Sequence, residues 1–255
     1  LSTREVKFQK LRSVRSHLKD FIIVFILNYC LLTITLISLA YILFTDIQLI
    51  QGITVFAIVP SAIAVIPFTS MLEGDTELSL ISSALLYISS LIIAPLVLFL
   101  LFGSEIGFWP IIRNLIILII IPVIISRLFL KIGYKEKDSD QIIVNTAFFL
   151  IIFGAVGANR HLFFSEIGLL FPILLISAVR SIGLSSIVYF FGKKLKTASD
   201  RLKSYTLFAG YKNGGLAIIL AVSLFGVKAS FPIVLGFVFD PLLIIYLKRV
   251  IYKVD

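Results

Sequence analysis

The sequence predicts an all-α polytopic membrane protein, and three observations support this fold class. First, 59% of the 255 residues are hydrophobic and 15% are charged, whereas about a quarter of the residues in a soluble domain are charged. The mean hydropathy is accordingly high, at +1.09. Second, Phe, Leu and Ile occur in runs long enough to cross about 30 Å of hydrocarbon as helices. Third, the alternation typical of a transmembrane β-strand is absent from these runs.

Eight apolar segments are the predicted transmembrane helices. The second contains Pro60 and Pro67, and the seventh contains Gly214 and Gly215, so both are predicted to be broken. The predicted spans cover residues 21–44, 48–71, 78–102, 110–126, 142–158, 167–191, 204–225 and 230–247.

The distribution of basic residues predicts the orientation in the membrane. If the spans alternate in direction, 18 of the 23 Lys and Arg residues lie on one side, and only Arg113, Arg160 and Lys228 lie on the other. The positive-inside rule makes the basic side cytoplasmic. Both ends of this chain are therefore predicted to face the cytoplasm, in a multi-pass protein surrounded by membrane lipid. Because topology explains the net charge of +9, no nucleic-acid partner is predicted.

An internal similarity predicts a repeated architecture. Each broken span is followed by a span in which a proline precedes an apolar tail, "IAPLVLFLL" and "VFDPLLIIYL". Such pairs in corresponding places are typical of transporters with inverted repeats. We predict a basic cytoplasmic loop or amphipathic segment over 1–20, the remainder of a first repeat over 21–109, a five-span second repeat over 110–247 and a cytoplasmic tail over 248–255. Two helices of the first repeat are then expected to be absent from this sequence.

Three charged residues are predicted to lie deep in the membrane, where charges are costly and indicate function by default. Lys212 and Asp240 lie about eight and about seven residues from the cytoplasmic ends of consecutive spans, so we expect them to pair at equal depth. Arg180, near the middle of the sixth span, could join them or contact substrate. Together the three carry a net charge of +1, which suits a small organic anion. A purely structural Lys212–Asp240 pair is the alternative.

The two breaks predict a binding site at mid-depth. Backbone groups freed at Gly214 and Gly215 must face protein or a watery cavity, and the ends of half-helices present partial charges to ions or substrate. Asn213 favours this reading over close helix packing, which is the alternative for the glycines. The corresponding candidates in the second span are Pro60, Thr69 and Ser70. The alternative for Thr69 and Ser70 is that their hydroxyl groups bond the backbone of their own helix, as is common in membrane helices.

Several motifs resemble those of the bile acid:sodium symporter family. "GYKNGGLAIILAVSLFG" resembles that family's broken ninth helix, and "PSAIAVIPFTSMLEGDTELSLISSALLYISSLIIAPL" resembles its broken fourth helix and the fifth. "IIFGAVGAN" is similar to the seventh helix, so the resemblance covers essentially the whole chain but not the family's first two helices. It implies a ten-helix (5+5) inverted-repeat secondary transporter with a panel domain and a core domain, in which the two broken helices cross.

The chain departs from that family at positions associated with sodium. The glutamine of the ninth-helix motif is Lys212 here, and the acid one turn earlier is Phe208. We therefore expect the Lys212 ammonium to occupy the space of a sodium ion, and we predict no cofactor and doubt sodium coupling. The other departures lie in and after the first break. The two glycines that follow the family's fourth-helix proline are replaced by Ser61 and Ala62, and its Ser-Asn pair by Val65 and Ile66. The hydroxyl residues of its next helix are replaced by Leu86 and Tyr87.

The predicted function is secondary active transport of a small organic anion across the cell membrane by alternating access. Without sodium coupling, the protein would be a facilitator, an exchanger or a proton-coupled carrier. The alternatives are a sodium-coupled symporter of the usual family type and an efflux permease similar to auxin or arsenite carriers. An arsenite carrier would favour a thiol near the first break, whereas Cys30, the only cysteine of the sequence, lies in the preceding span. A receptor or channel would also suit such a fold. An enzyme is not expected, because the sequence has no H-E-x-x-H motif and both His17 and His161 lie in predicted loops.

Overall fold

The computed structural model describes residues 17–132 and 138–254, which form helices joined by short connections. No β-strand occurs within these two ranges, so the all-helical part of the predicted fold class is confirmed for them. Most of the predicted basic segment over 1–20, together with Lys135 and Lys137, lies outside the described residues. The absence of two preceding helices and the division into two repeats stay predictions.

The predicted spans correspond in order to apolar helices. Five helical segments are long and apolar enough to cross a membrane: Leu18–Leu43, Thr76–Gly103, Ile167–Lys194, Ser199–Phe225 and Val227–Ile251. Three shorter apolar helices are Ile47–Ile58, Phe108–Ile120 and Ile142–Ala158. A polytopic membrane protein is therefore confirmed, while the number of crossings stays a prediction. In chain order the elements are α1 (Leu18–Leu43), α2 (Ile47–Ile58), α3 (Val65–Met71), α4 (Thr76–Ile106), α5 (108–131), α6 (Asp138–Ala158), α7 (Arg160–Ser165), α8 (Ile167–Lys194), α9 (Ser199–Gly210), α10 (Gly214–Phe225) and α11 (Val227–Ile251).

Both predicted breaks are present, and each separates two half-helices. Residues 59–64 separate α2 from α3 and include Pro60, whereas Pro67 lies in the first turn of α3, where its missing N–H costs no helical hydrogen bond. Residues 211–213 separate α9 from α10. The glycine pair lies beside this break rather than inside it, because Gly214 and Gly215 are the first residues of α10.

Four of the described helices contain a π-helical segment, and two of these segments carry buried polar residues. The two are Ile26–Leu32 in α1 and Val179–Gly183 in α8; the others are Ile116–Ile120 in α5 and Leu247–Ile251 in α11. A π-helical turn carries one more residue than an α-helical turn, and such segments often occur at functional sites. The segments in α1 and α8 contain the buried polar residues Asn28 and Arg180, both of which contact the broken helices.

Charged and polar groups connect the outer ends of the broken helices to the rest of the fold. Asp46 accepts hydrogen bonds from two N–H groups in the first turn of α2, at 2.9 and 3.4 Å, and pairs with Lys228 at the start of α11. Partial burial opposes ionisation of Asp46, but the Lys228 ammonium and the two N–H groups hold the pKa of the carboxyl below its usual value. At the opposite end of the molecule, the N–H of Asp75 donates to the carbonyl oxygen of Asp200 at 3.1 Å. The two broken segments are thus held at both ends.

A glycine allows α2 to pack directly against the start of α11. A Cβ atom added to Gly52 would lie 1.8 Å from the carbonyl oxygen of Ala229, which is a backbone atom and cannot rotate away. We therefore expect Gly52→Ala to lower the free energy of unfolding by about 3 kcal/mol or more, the upper part of the usual cost of overpacking. The thermal unfolding midpoint of the purified protein in detergent measures this change.

Gly154→Ala in α6 is the matched control for this prediction. A Cβ atom there meets no atom within 4 Å, so its unfolding midpoint is expected to stay close to that of the wild type. Equal midpoints for the two alanine variants would contradict the close approach of α2 to Ala229.

Candidate functional site

The two breaks meet each other inside the helix bundle. The N–H of Asn213 donates to the carbonyl oxygen of Pro60 at 2.9 Å, and the hydroxyl of Ser61 donates to the carbonyl oxygen of Tyr211 at 2.7 Å. Each break thereby satisfies backbone groups that the other leaves without a helical partner. The structure thus brings together Pro60, Lys212 and Asn213, which the sequence had assigned to one site from separate spans.

Lys212 extends from the second break into an enclosure of oxygen atoms. Its side chain is fully buried, and Nζ donates to Asn28 Oδ1 at 2.7 Å, to the Val59 carbonyl at 2.9 Å and to the Asn28 carbonyl at 3.0 Å. The Tyr29 ring centroid lies 5.0 Å from Nζ, within the range of a cation–π contact. Three acceptors match the three N–H bonds of an ammonium, whereas a neutral amine has only two. Each N–H bond of an ammonium at Lys212 therefore has an oxygen acceptor in this enclosure.

Asn28 is the side chain that links Lys212 to both breaks. Its Nδ2 group donates to the Phe208 carbonyl at 3.1 Å and to Ser61 Oγ at 2.8 Å. A carbonyl oxygen can only accept, so the amide nitrogen must face Phe208 and the amide oxygen must face Lys212. The sequence reasoning missed Asn28. The available signal was an amide in the middle of the apolar run "FIIVFILNYC".

The predicted Lys212–Asp240 pair is wrong. Asp240 accepts from Arg180 Nη2 at 2.6 Å, and the same guanidinium donates to the carbonyls of Gly210 at 3.0 Å and Gly236 at 3.3 Å. Lys212 instead reaches α1 and the end of α2. Equal depth on neighbouring helices does not determine the direction in which a side chain points, and the extended backbone of the break turns Lys212 away from α11.

The two fully buried cations of the described residues, Lys212 and Arg180, lie at the carboxyl-terminal ends of half-helices. Lys212 binds the Val59 carbonyl just after α2, and Arg180 binds the Gly210 carbonyl at the end of α9. A helix carries partial negative charge at this end, so each cation offsets one of the two half-helix dipoles. Lys212, Arg180 and Asp240 together carry +1 +1 −1, a net charge of +1. Because Arg180 and Asp240 pair with each other, the excess positive charge lies at Lys212.

Asn213 has a structural contact on each side of its amide. Oδ1 accepts from the Leu216 N–H at 3.0 Å and caps α10, while Nδ2 donates to the Tyr87 hydroxyl of α4 at 2.6 Å. Tyr87 is a second residue that the sequence reasoning missed as a contact of the site. It was recognised only as a departure from the family's hydroxyl positions, although its own longer side chain brings a hydroxyl to the second break.

Aromatic rings pack against the glycine pair. A Cβ atom on Gly214 would lie 2.5 Å from Phe237 of α11, and one on Gly215 would lie 3.0 Å from Phe148 of α6. The two rings contact each other edge to face, with centroids 5.7 Å apart. The glycines therefore give space to side chains from two other helices, as in the packing alternative. A binding role for Gly214 and Gly215 stays a prediction.

The candidates of the second span lie away from the Lys212 enclosure. Thr69 is buried near the end of α3, where its hydroxyl bonds the Val65 carbonyl and the Ser79 hydroxyl, each at 2.8 Å. Ser70, the next residue, is exposed. Neither residue is among the contacts of Lys212 or Asn213. Their role in binding stays a prediction.

A sodium ion does not fit the Lys212 enclosure. The oxygen atoms available there, from Asn28 and Val59, already accept hydrogen bonds from the ammonium. A second cation in contact with the same oxygens would lie a few ångströms from Nζ, where two positive charges repel by about 4 kcal/mol even at an effective dielectric of 20.

Comparison with known proteins agrees with a membrane transporter. Residues 1–253 match the SBF-like CPA transporter family. The chain is also similar to the uncharacterized protein YbaS of Bacillus subtilis (strain 168), with 24% identity over 245 residues that cover 92% of this chain and 80% of that protein.

Proposed function

The chain belongs to the SBF-like CPA transporter family, and we propose that it is a secondary transporter that moves a small organic anion across the cell membrane by alternating access. This function is supported by the contact between the two breaks and by the excess positive charge that Lys212 places there. In a low-dielectric interior a fixed ammonium attracts an anion strongly, and the half-helix ends supply further partial charges. We also propose that both termini of the described chain face the cytoplasm, because the basic residues concentrate on that side of the predicted topology.

We propose further that transport does not require sodium, because Lys212 supplies the positive charge at the crossing. The observation that carries this proposal is the set of three oxygen atoms within 3.0 Å of Lys212 Nζ. A tethered ammonium at this place neutralises the carboxyl-terminal end of α2 in every transport cycle, so no dissolved cation is needed for that purpose.

Arsenite efflux gains no support from the position of the thiol. Cys30 is exposed on α1, whereas its neighbours Asn28 and Tyr29 are buried and contact Lys212. The thiol therefore does not belong to the Lys212 enclosure.

The experiment that tests the proposed function has two stages. Purified protein is first screened by thermal unfolding against mono- and dicarboxylates, because only a bound species shifts stability. Anions that stabilise the protein are then assayed for uptake into proteoliposomes, with sodium or with choline as the external cation. We expect saturable uptake at rates that agree within about twofold in the two media. Strict sodium dependence would contradict the role of Lys212, and binding without uptake would favour a receptor.

A further inference from the structure

An open basic cleft lies at the carboxyl-terminal end of α11. Lys248, Arg249, Lys253 and Val254 line this cleft, whose volume of about 560 Å³ readily admits a phosphate group. None of the ion pairs formed by the described residues involves Lys248, Arg249 or Lys253. Three positive charges therefore face one space without a carboxylate partner from residues 17–132 or 138–254.

The backbone after α11 folds back to build the cleft. The N–H of Tyr252 donates to the Leu247 carbonyl at 2.9 Å, and the N–H of Val254 donates to the Lys248 carbonyl at 3.0 Å. Lys253 adopts a φ of +52°, in the left-handed region that side chains rarely occupy. This turn places Lys253, which is exposed, beside the basic residues of the last helical turn.

Tyrosine contacts indicate that the cleft lies at the depth of lipid headgroups. The Tyr252 hydroxyl bonds the Thr206 hydroxyl at 3.0 Å, and its ring contacts that of Tyr189 edge to face, at 5.4 Å between centroids. The Tyr246 hydroxyl bonds Ser186 at 2.8 Å in the same region. Tyrosine is enriched at membrane–water interfaces because its ring is apolar and its hydroxyl is polar.

An apolar stripe on α11 leads to the cleft. Val238, Leu242 and Ile245 are exposed by 55%, 43% and 55%, and their spacing places them on one helix face with Arg249. A free phosphate would contact only the basic cleft. A phospholipid would contact the basic cleft with its phosphate and the stripe with an acyl chain.

We propose that this end of α11 binds the phosphate group of an anionic phospholipid from the membrane leaflet on the basic side. Lys248, Arg249 and Lys253 hold the phosphate, and one acyl chain lies along Val238, Leu242 and Ile245. The proposal does not depend on which substrate is transported or on the coupling ion, so its failure would leave the proposed transport function intact.

The test compares two variants that remove the same number of charges. The purified full chain is titrated with dioleoylphosphatidylglycerol in detergent, and the thermal unfolding midpoint is recorded. The cleft variant is Lys248→Gln/Arg249→Gln/Lys253→Gln. The control variant, Lys19→Gln/Lys194→Gln/Lys196→Gln, neutralises exposed lysines on the same side of the molecule. Parallel titrations use dioleoylphosphatidylcholine and inorganic phosphate.

We expect saturable stabilisation of the wild type and the control variant by phosphatidylglycerol, and roughly 100-fold weaker binding by the cleft variant. This factor corresponds to about fivefold for each basic residue near an anionic surface. If the triple variant does not fold, Lys253→Gly takes its place in the test. Glycine keeps the left-handed turn, and the loss of one charge is expected to weaken binding about fivefold. Equal losses in the cleft and control variants would overturn the proposal, as would equal stabilisation by phosphatidylcholine or inorganic phosphate.

Discussion

Lys212→Gln is expected to reduce anion uptake in sodium-free medium by at least about 100-fold. Glutamine is shorter than lysine, carries no charge and can donate only two hydrogen bonds, whereas Lys212 donates to three oxygen atoms. A hydrogen bond to a charged group contributes about 1.5–3 kcal/mol, and a loss of about 2.7 kcal/mol corresponds to 100-fold. Uptake into proteoliposomes, with sodium or choline outside, measures the effect.

Sodium is expected to restore part of the uptake of this variant. Once the ammonium is gone, the amide oxygen of Asn28 and the carbonyls of Asn28 and Val59 are free to bind a small cation. The matched control is Lys228→Gln, which removes a lysine that pairs with Asp46 at the edge of the fold, and its uptake is expected to stay within about twofold of the wild type. If Lys212→Gln folds and transports like the wild type in both media, Lys212 does not act as the fixed cation.

The class of fold and the presence of two broken helices could be predicted because they depend on local chemistry. Long apolar runs can be satisfied in lipid only by helices, and Pro60 removes a helical donor wherever it lies. The position of the second break was predicted less well. Two adjacent glycines weaken a helix, but Asn213 caps α10 and shifts the break to the three residues before them.

The partners of the buried charges could not be predicted because they depend on direction as well as depth. Counting residues along a span gives the height of a side chain in the membrane, and it placed Lys212 level with Asp240. It does not show which neighbour a side chain faces, particularly beyond an extended break. Asn28 was missed for a related reason. Its hydrogen-bond partners, the Phe208 carbonyl and Lys212, are distant in sequence and reach it only in the folded protein.

The separation of Lys212 from Asp240 changes how the site distributes its charge. A Lys212–Asp240 pair would have left Arg180 as the excess cation, beneath the end of α9. The observed Arg180–Asp240 pair instead leaves the excess charge at the meeting point of both breaks, where Lys212 contacts α1 and the end of α2. Arg180 binds two backbone segments, at Gly210 and Gly236, and its role in substrate binding stays a prediction.

Asp240→Asn is expected to lower the free energy of unfolding by about 3–5 kcal/mol, because it leaves Arg180 as an uncompensated buried charge. Asp46→Asn is the matched control, since the same substitution there affects a pair whose side chains are about one-third exposed, and we expect a cost of at most about 1 kcal/mol. Denaturant or thermal unfolding in detergent measures both changes.

A double variant separates the cost of an unpaired charge from the value of the pair. Arg180→Met/Asp240→Leu removes both charges and is expected to be more stable than Asp240→Asn, because apolar residues often replace a buried ion pair without loss. It should remain below the wild type, since the Gly210 and Gly236 carbonyls lose the guanidinium that binds them. If Asp240→Asn costs no more than Asp46→Asn, the carboxyl of Asp240 does not balance Arg180 in the folded protein, and the excess charge of the site is not confined to Lys212.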